Sequence, residues 1–148
     1  MLLMHKIFQL YPNQVKYCLS PDAIVETNPA ENIKAFFNQR VRWASKALVY
    51  EDKRIIFILL LVYLLNVTLF VFLLFAVFSK HGILNWLFLI ALKTLIELIF
   101  LIPVARFFKK SSLLWAFFPA QIFHILYTVL SGFFGQVGSY TWKDRKLK

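Results

Sequence analysis

The sequence predicts a mainly α, multi-pass membrane protein, with an interfacial amphipathic helix ahead of two to three transmembrane helices. Three observations predict it. The chain of 148 residues is 60% hydrophobic, 18% aromatic and 16% charged, whereas a soluble domain is roughly half apolar and about a quarter charged. Residues 55–78 run without a single charge, and about 20 apolar residues in a helix suffice to cross a bilayer core of roughly 30 Å. The net charge of +10 is concentrated beside the apolar segments. Cations placed there fix orientation and meet anionic headgroups, a distribution unlike the continuous basic face of a nucleic-acid-binding domain.

Residues 1–27 have the composition of a water-soluble piece. Leu3, Ile7 and Phe8 fall at helical spacing, and Tyr11-Pro12-Asn13 reads as a turn. Val15, Tyr17 and Leu19 alternate with Lys16 and Cys18 in a strand pattern, Ser20-Pro21-Asp22 turns the chain again, and Ala23-Ile24-Val25 reads as a second short strand. One helix and two short strands do not make a stable unit, so this piece calls for a sheet that the sequence does not contain. The first residues lack the basic head and apolar stretch of a signal peptide. A single cysteine, Cys18, excludes an internal disulfide, and His5, His81 and His124 lack metal-ligand spacing.

Residues 28–52 read as the amphipathic helix. Asn28 suits the N-cap, Pro29 the first helical position, and Glu31 the capping-box position. Ile33, Phe37, Val41, Ala44 and Leu48 then share one face, with basic residues elsewhere. Such a helix lies in the headgroup plane.

Residues 53–134 form the transmembrane region, with apolar segments at about 55–78, 83–104 and 113–134, and residues 135–148 form a basic tail. Arg40, Arg42, Lys46, Lys53 and Arg54 precede the first segment and Lys80 follows it, which predicts a cytoplasmic N-terminal side. A third crossing would place the basic tail outside, against that rule. Pro119, Gln121, His124 and Gly132 interrupt the third segment, so a re-entrant, interfacial or broken helix stands beside a full crossing. Lys93 and Glu97, one turn apart in the second segment, read as a packing ion pair. Gln121, His124, Thr128 and Ser131 form a polar stripe of the kind that bonds to neighbouring helices.

The chemistry-bearing constellation is Gln39-Arg40-Val41-Arg42-Trp43. At about 100° per residue, Gln39, Arg42 and Trp43 share a helix face, with Lys46 beside them and the apolar stripe turned away. A guanidinium matches phosphate oxygens in pairs. Glutamine adds a neutral donor, and an indole stacks on a ring while its N–H meets a hydroxyl. The charge of Arg42 would offset charge developing on a leaving diphosphate. Arg40, nearer the apolar face, reads as a snorkelling side chain or a supporting one.

The stretch from Met1 to Lys46 resembles the end of the catalytic domain of membrane-bound family-2 glycosyltransferases of the Gln-x-x-Arg-Trp group, the cellulose- and hyaluronan-synthase-like and lipid-glycosylating enzymes. The residues that carry it are Leu2-Leu3-Met4-His5-Lys6-Ile7, Tyr11-Pro12-Asn13-Gln14-Val15-Lys16-Tyr17, Ala23 to Pro29, and Gln39 to Trp43. Tyr140-Thr141-Trp142-Lys143-Asp144-Arg145 is similar to the Trp-Lys-Gly-Arg ending of lipid-linked members, with Asp144 as a departure. The resemblance implies that residues 1–27 are a remnant of a cytoplasmic GT-A α/β domain, that Gln39 and Arg42 bind the donor diphosphate, and that Trp43 contacts the acceptor. It also implies a nucleotide-sugar donor, a lipid or glycan acceptor, and a divalent cation, Mg or Mn, in the complete enzyme. The Asp-x-Asp motif is absent, no metal ligand is expected in this chain, and the family's general base would lie upstream of Met1. The expectation is therefore a truncated or split glycosyltransferase, inactive alone, in the inner membrane. The alternative is a small membrane protein that binds lipid or a partner without catalysis.

Overall fold

The computed structural model describes residues 2–142 and 145–147. It is mainly helical: α1 (Leu2–Leu10), α2 (Ile33–Ala44), α3 (Lys53–Ala76), α4 (Gly82–Phe107) and α5 (Leu114–Val137), followed by a short antiparallel hairpin, β1 (Tyr140–Trp142) with β2 (Arg145–Leu147), in which Tyr140 pairs with Leu147. The last three helices, with the turn at Ser111–Leu113 leading into α5, are long and apolar enough to cross a membrane. Their apolar side chains point outward along much of their length, the composition and surface of a membrane protein rather than of a water-soluble bundle.

The N-terminal expectations are met in part. The helix forms as α1, and Gln14 N–H closes the turn on the Tyr11 carbonyl at 3.1 Å. The two strands do not form. Residues 15–19 and 24–25 are irregular, and Pro21–Ala23 is a 3-10 turn capped by Ser20. Tyr17, Leu19 and Val25 stand 86%, 70% and 83% exposed. An alternating pattern makes a strand only where a neighbouring strand accepts its hydrogen bonds, and among the described residues no strand pairs with this segment.

The amphipathic helix is shorter than residues 28–52. Asn32, not Asn28, is the N-cap: its Oδ1 accepts from the Ala35 N–H at 2.8 Å, and the chain before it is extended or bent. Asn32 prevails because its side chain reaches the orphan N–H of the third helical residue. The helix stops at Ala44. The Ser45 hydroxyl donates to the Arg42 carbonyl at 2.9 Å, and Gln136 from α5 donates to the Ala44 carbonyl at 2.8 Å. A 3-10 turn at Ala47–Val49 then leads to Asp52, whose carboxylate accepts from the Arg54 N–H at 2.9 Å and starts α3.

Helices α3 and α4 form an antiparallel hairpin. At its closed end Gly82 lies against the Ala76 backbone so tightly that an added Cβ would come within 2.5 Å of the Ala76 oxygen. The Trp86 indole N–H donates to the Leu69 carbonyl at 2.9 Å, so α4 stitches itself to the backbone of α3. At the other end α4 closes with Lys109 at φ 54. The N–H groups of Lys110 and Lys109 bond back to Ala105 and Arg106 at 2.8 and 3.1 Å, the paired closure of a Schellman motif.

Helix α5 is continuous through Pro119 and packs on both helices of the hairpin. It starts next to the C-terminal end of α4, passes α4 where Gln121 meets Lys93 and Glu97, and passes α3 where Gly132 meets the Tyr63 ring and the Val129 carbonyl accepts from the Tyr63 hydroxyl. It ends against Ala44 and Ser45, shortly before α3 begins. Helix α5 therefore passes from α4 to α3 and meets each of them near its middle. At ~1.5 Å rise per residue, its crossing with Tyr63 lies about 15 Å along α3 from Lys53. Helix α2 runs beside the second half of α5 in the same direction: Phe36 meets Tyr127, Phe37 meets Phe134, and Ala44 meets Gly135.

Candidate functional site: a basic, aromatic helix face

The α2 surface is built from its buried side outward. Val41 is 4% exposed, and Phe37 packs edge-to-face on Phe134 at 6.2 Å between ring centroids. Gly135 lets the two backbones approach, since a Cβ there would fall 2.7 Å from that of Ala44. Small residues permit this spacing between helices. The predicted stripe holds from Phe37 to Ala44. Its first member, Ile33, is 86% exposed because α2 at that point extends past its contact with α5. The Leu48 side chain is outside the described residues.

With that side fixed, Gln39, Arg42 and Trp43 project from neighbouring turns of α2. Gln39 and Arg42 are half-buried and Trp43 is 52% exposed. The three stay together on one helix and none is sunk in the core. Lys46 is exposed, but it lies in the turn after Ala44. Its expected place beside the trio assumed a continuing helix, and the Ser45 and Gln136 hydrogen bonds end that helix first.

Of the two readings of Arg40, its side chain does not take the snorkelling one. Its guanidinium carbon lies 4.7 Å from the centroid of Phe36, 4.6 Å from that of Trp43 and 5.5 Å from that of Tyr127. Its Nε is buried without a hydrogen-bond partner. A snorkelling arginine would carry its head to water. This one is held against three aromatic faces, whose quadrupoles attract a cation. It thereby pins the indole of Trp43 from one side and leaves half of that residue accessible. Tyr127 in turn packs edge-to-face on both Phe36 and His124. Sequence reasoning missed Phe36 and Tyr127 as part of this surface. Phe36 was legible, at four residues before Arg40 and seven before Trp43, whereas Tyr127 required the docking of α5.

The predicted ion pair is present as one part of a larger group. Lys93 Nζ lies 2.6 Å from Glu97 and donates to Gln121 Oε1 at 2.7 Å, while Gln121 Nε2 donates to the other Glu97 oxygen at 2.5 Å. Gln121 is 1% exposed. The amide thus closes a ring with both charges and ties α5 to α4, so the polar stripe bonds to a neighbouring helix at this position. His124 continues the stripe with a buried, unpartnered Nδ1, and Ser131 turns to the Thr128 carbonyl at 3.5 Å.

Among the described residues, no group of three or more His, Cys, Asp or Glu side chains is placed to hold a metal ion. Of the expected Trp-Lys-Gly-Arg-like ending, Lys143 and Asp144 lie outside the described residues, as does Lys148 of the basic tail. No protein-family model, curated protein or solved structure matches this chain.

Proposed function

We propose that α2, carried by α5 on the α3–α4 hairpin, is the membrane-surface platform of a family-2-type glycosyltransferase. Gln39 and Arg42 would hold the diphosphate of a nucleotide sugar, and Trp43 would meet a lipid or glycan acceptor. The observation that carries this reading is the joint presentation of an amide, a guanidinium and a half-exposed indole on one helix face, with the indole braced by Arg40. The exposed apolar residues of α1 and of 15–25 support it further, because they offer surface to a catalytic domain that would supply the Asp-x-Asp motif and the general base. The test places Gln39→Ala, Arg42→Ala and Trp43→Ala in the chain joined to such a domain. Transfer from nucleotide sugar should be lost while membrane association persists. Retained transfer with weakened association would instead establish the second reading, a lipid- or partner-docking protein, which the basic and aromatic character of α2 also favours.

In this reading the N-terminal side faces the cytoplasm at the inner membrane, α3 and α4 cross, and α5 packs against both without completing a third crossing. The basic tail then returns to the side of Lys53 and Arg54, in keeping with the distribution of cations. In a Cys18→Ser background, cysteines at Ser79 and Ser139 should react with an impermeant reagent from opposite sides of the membrane. Reaction from the same side would mean that α5 crosses.

A further inference from the structure

Between the end of α2, the first half of α3 and the second half of α5 lies a cavity of about 400 Å³, open on one side and lined almost wholly by carbon. That is within the size range of small-molecule sites. Three of the polar side chains along it are directed to backbone carbonyls. The Tyr63 hydroxyl donates to the Val129 carbonyl at 3.4 Å, Ser131 to that of Thr128 at 3.5 Å, and Gln136 to that of Ala44 at 2.8 Å. Their hydrogen-bonding capacity is directed to backbone, and the walls left facing the space are hydrocarbon, which favours an apolar occupant over water. The lining residues Leu59, Leu60 and Val62 are 41%, 51% and 44% exposed, so the cavity wall continues into the apolar outer surface of α3.

The surroundings at the hairpin's basic end select the kind of lipid. Lys46 adjoins the lining residue Ala47, and Lys53 lies one turn before the lining residue Ile56. Both lysines are exposed. The two acids of this segment are engaged elsewhere: Glu51 lies 3.6 Å from Lys6, and Asp52 caps α3. Cations at headgroup depth above a hydrocarbon slot complement a negatively charged headgroup with its chain below.

We propose that this cavity is a binding site for one chain of an anionic membrane phospholipid, whose headgroup is met by Lys46 and Lys53. The site stands apart from the trio on α2 and does not depend on sugar transfer.

The experiment uses the full chain in phosphatidylcholine nanodiscs containing a phosphatidylglycerol probe with a diazirine at mid-chain, with cross-linked peptides read by mass spectrometry. Label should concentrate on residues 44–63 and 128–136 and be competed by phosphatidylglycerol more than by phosphatidylcholine. Ala47→Phe, which fills the cavity, should remove most of that label, whereas Ile99→Phe on the exposed side of α4 should leave it. Replacing Lys46 and Lys53 by Gln should abolish the preference for the anionic lipid. Label spread evenly over the outer faces of α3, α4 and α5, or unchanged by Ala47→Phe, would overturn the site. Equal competition by the two lipids in the wild-type chain would overturn the anionic headgroup, and the wild-type arms decide the question even where a variant fails to fold.

Discussion

Two polar clusters touch α5, and they are built in opposite ways. Around Gln121 every strong group is answered: the Lys93 ammonium and the Glu97 carboxylate face each other, and one amide closes the ring. Around Arg40 the cation faces three aromatic rings, and its Nε stays unanswered. The closed ring lies between helices, with Lys93 and Gln121 buried and Glu97 half-buried, and holds α4 to α5. The open cluster lies at the edge of α2, next to a half-exposed tryptophan. A closed network contributes architecture, because each member is spent on the others. A cation held against rings rather than carboxylates keeps its full formal charge, and under the proposed function that charge would add to the field that Arg42 presents to a diphosphate.

The difference can be broken at either end. The largest effect is expected from Glu97→Leu, which leaves the Lys93 ammonium buried beside Gln121 alone. Breaking a buried pair costs roughly 3–5 kcal/mol, seen as lost stability on denaturant titration in bicelles. Replacing Lys93, Glu97 and Gln121 together by Leu should recover most of it, since no polar group is then stranded. If the triple variant stays as unstable as the single one, the ring has a role beyond holding two helices. Next comes Gly135→Leu, which forces side-chain volume between α5 and Ala44. Overpacking costs about 1–3 kcal/mol, and α2 should lift from α5, read as faster hydrogen exchange of the α2 amides. The smallest effect is expected from Arg40→Gln, about 0.5–2 kcal/mol for cation–π contacts of this kind. It should also free the Trp43 ring, measured as faster indole quenching by acrylamide. Unchanged quenching would mean that Phe36 and Tyr127 hold the indole without the cation.

The long elements were legible before any coordinates. The uncharged run at 55–78 and its two successors became α3, α4 and α5 within a few residues, because hydrophobic length alone sets such helices. Lys93 and Glu97 were legible as a pair because four residues make one turn. Their third partner was not, since Gln121 is far along the chain and meets them through the crossing of α5. The helix start at Asn32 rather than Asn28 was a contest between two good caps, and a local pattern does not rank them. The absent strands at 15–25 follow from the same limit. Alternation specifies which side chains would share a face, but the hydrogen bonds come from a partner strand.

Composition, charge placement and helical period by themselves determined that this protein is a set of apolar helices with a basic, aromatic helix ahead of them, and that Gln39, Arg42 and Trp43 share a face. Tertiary structure alone decided that α5 packs on both helices of the hairpin, that Arg40 turns inward to Phe36 and Tyr127, and that a hydrocarbon slot opens beside Ala47. The reason is range: period and length act between residues a turn apart, whereas crossing direction and cavity shape arise from close packing of side chains distant in sequence, where Gly132 and Gly135 make room and Tyr63 and Ala44 occupy it.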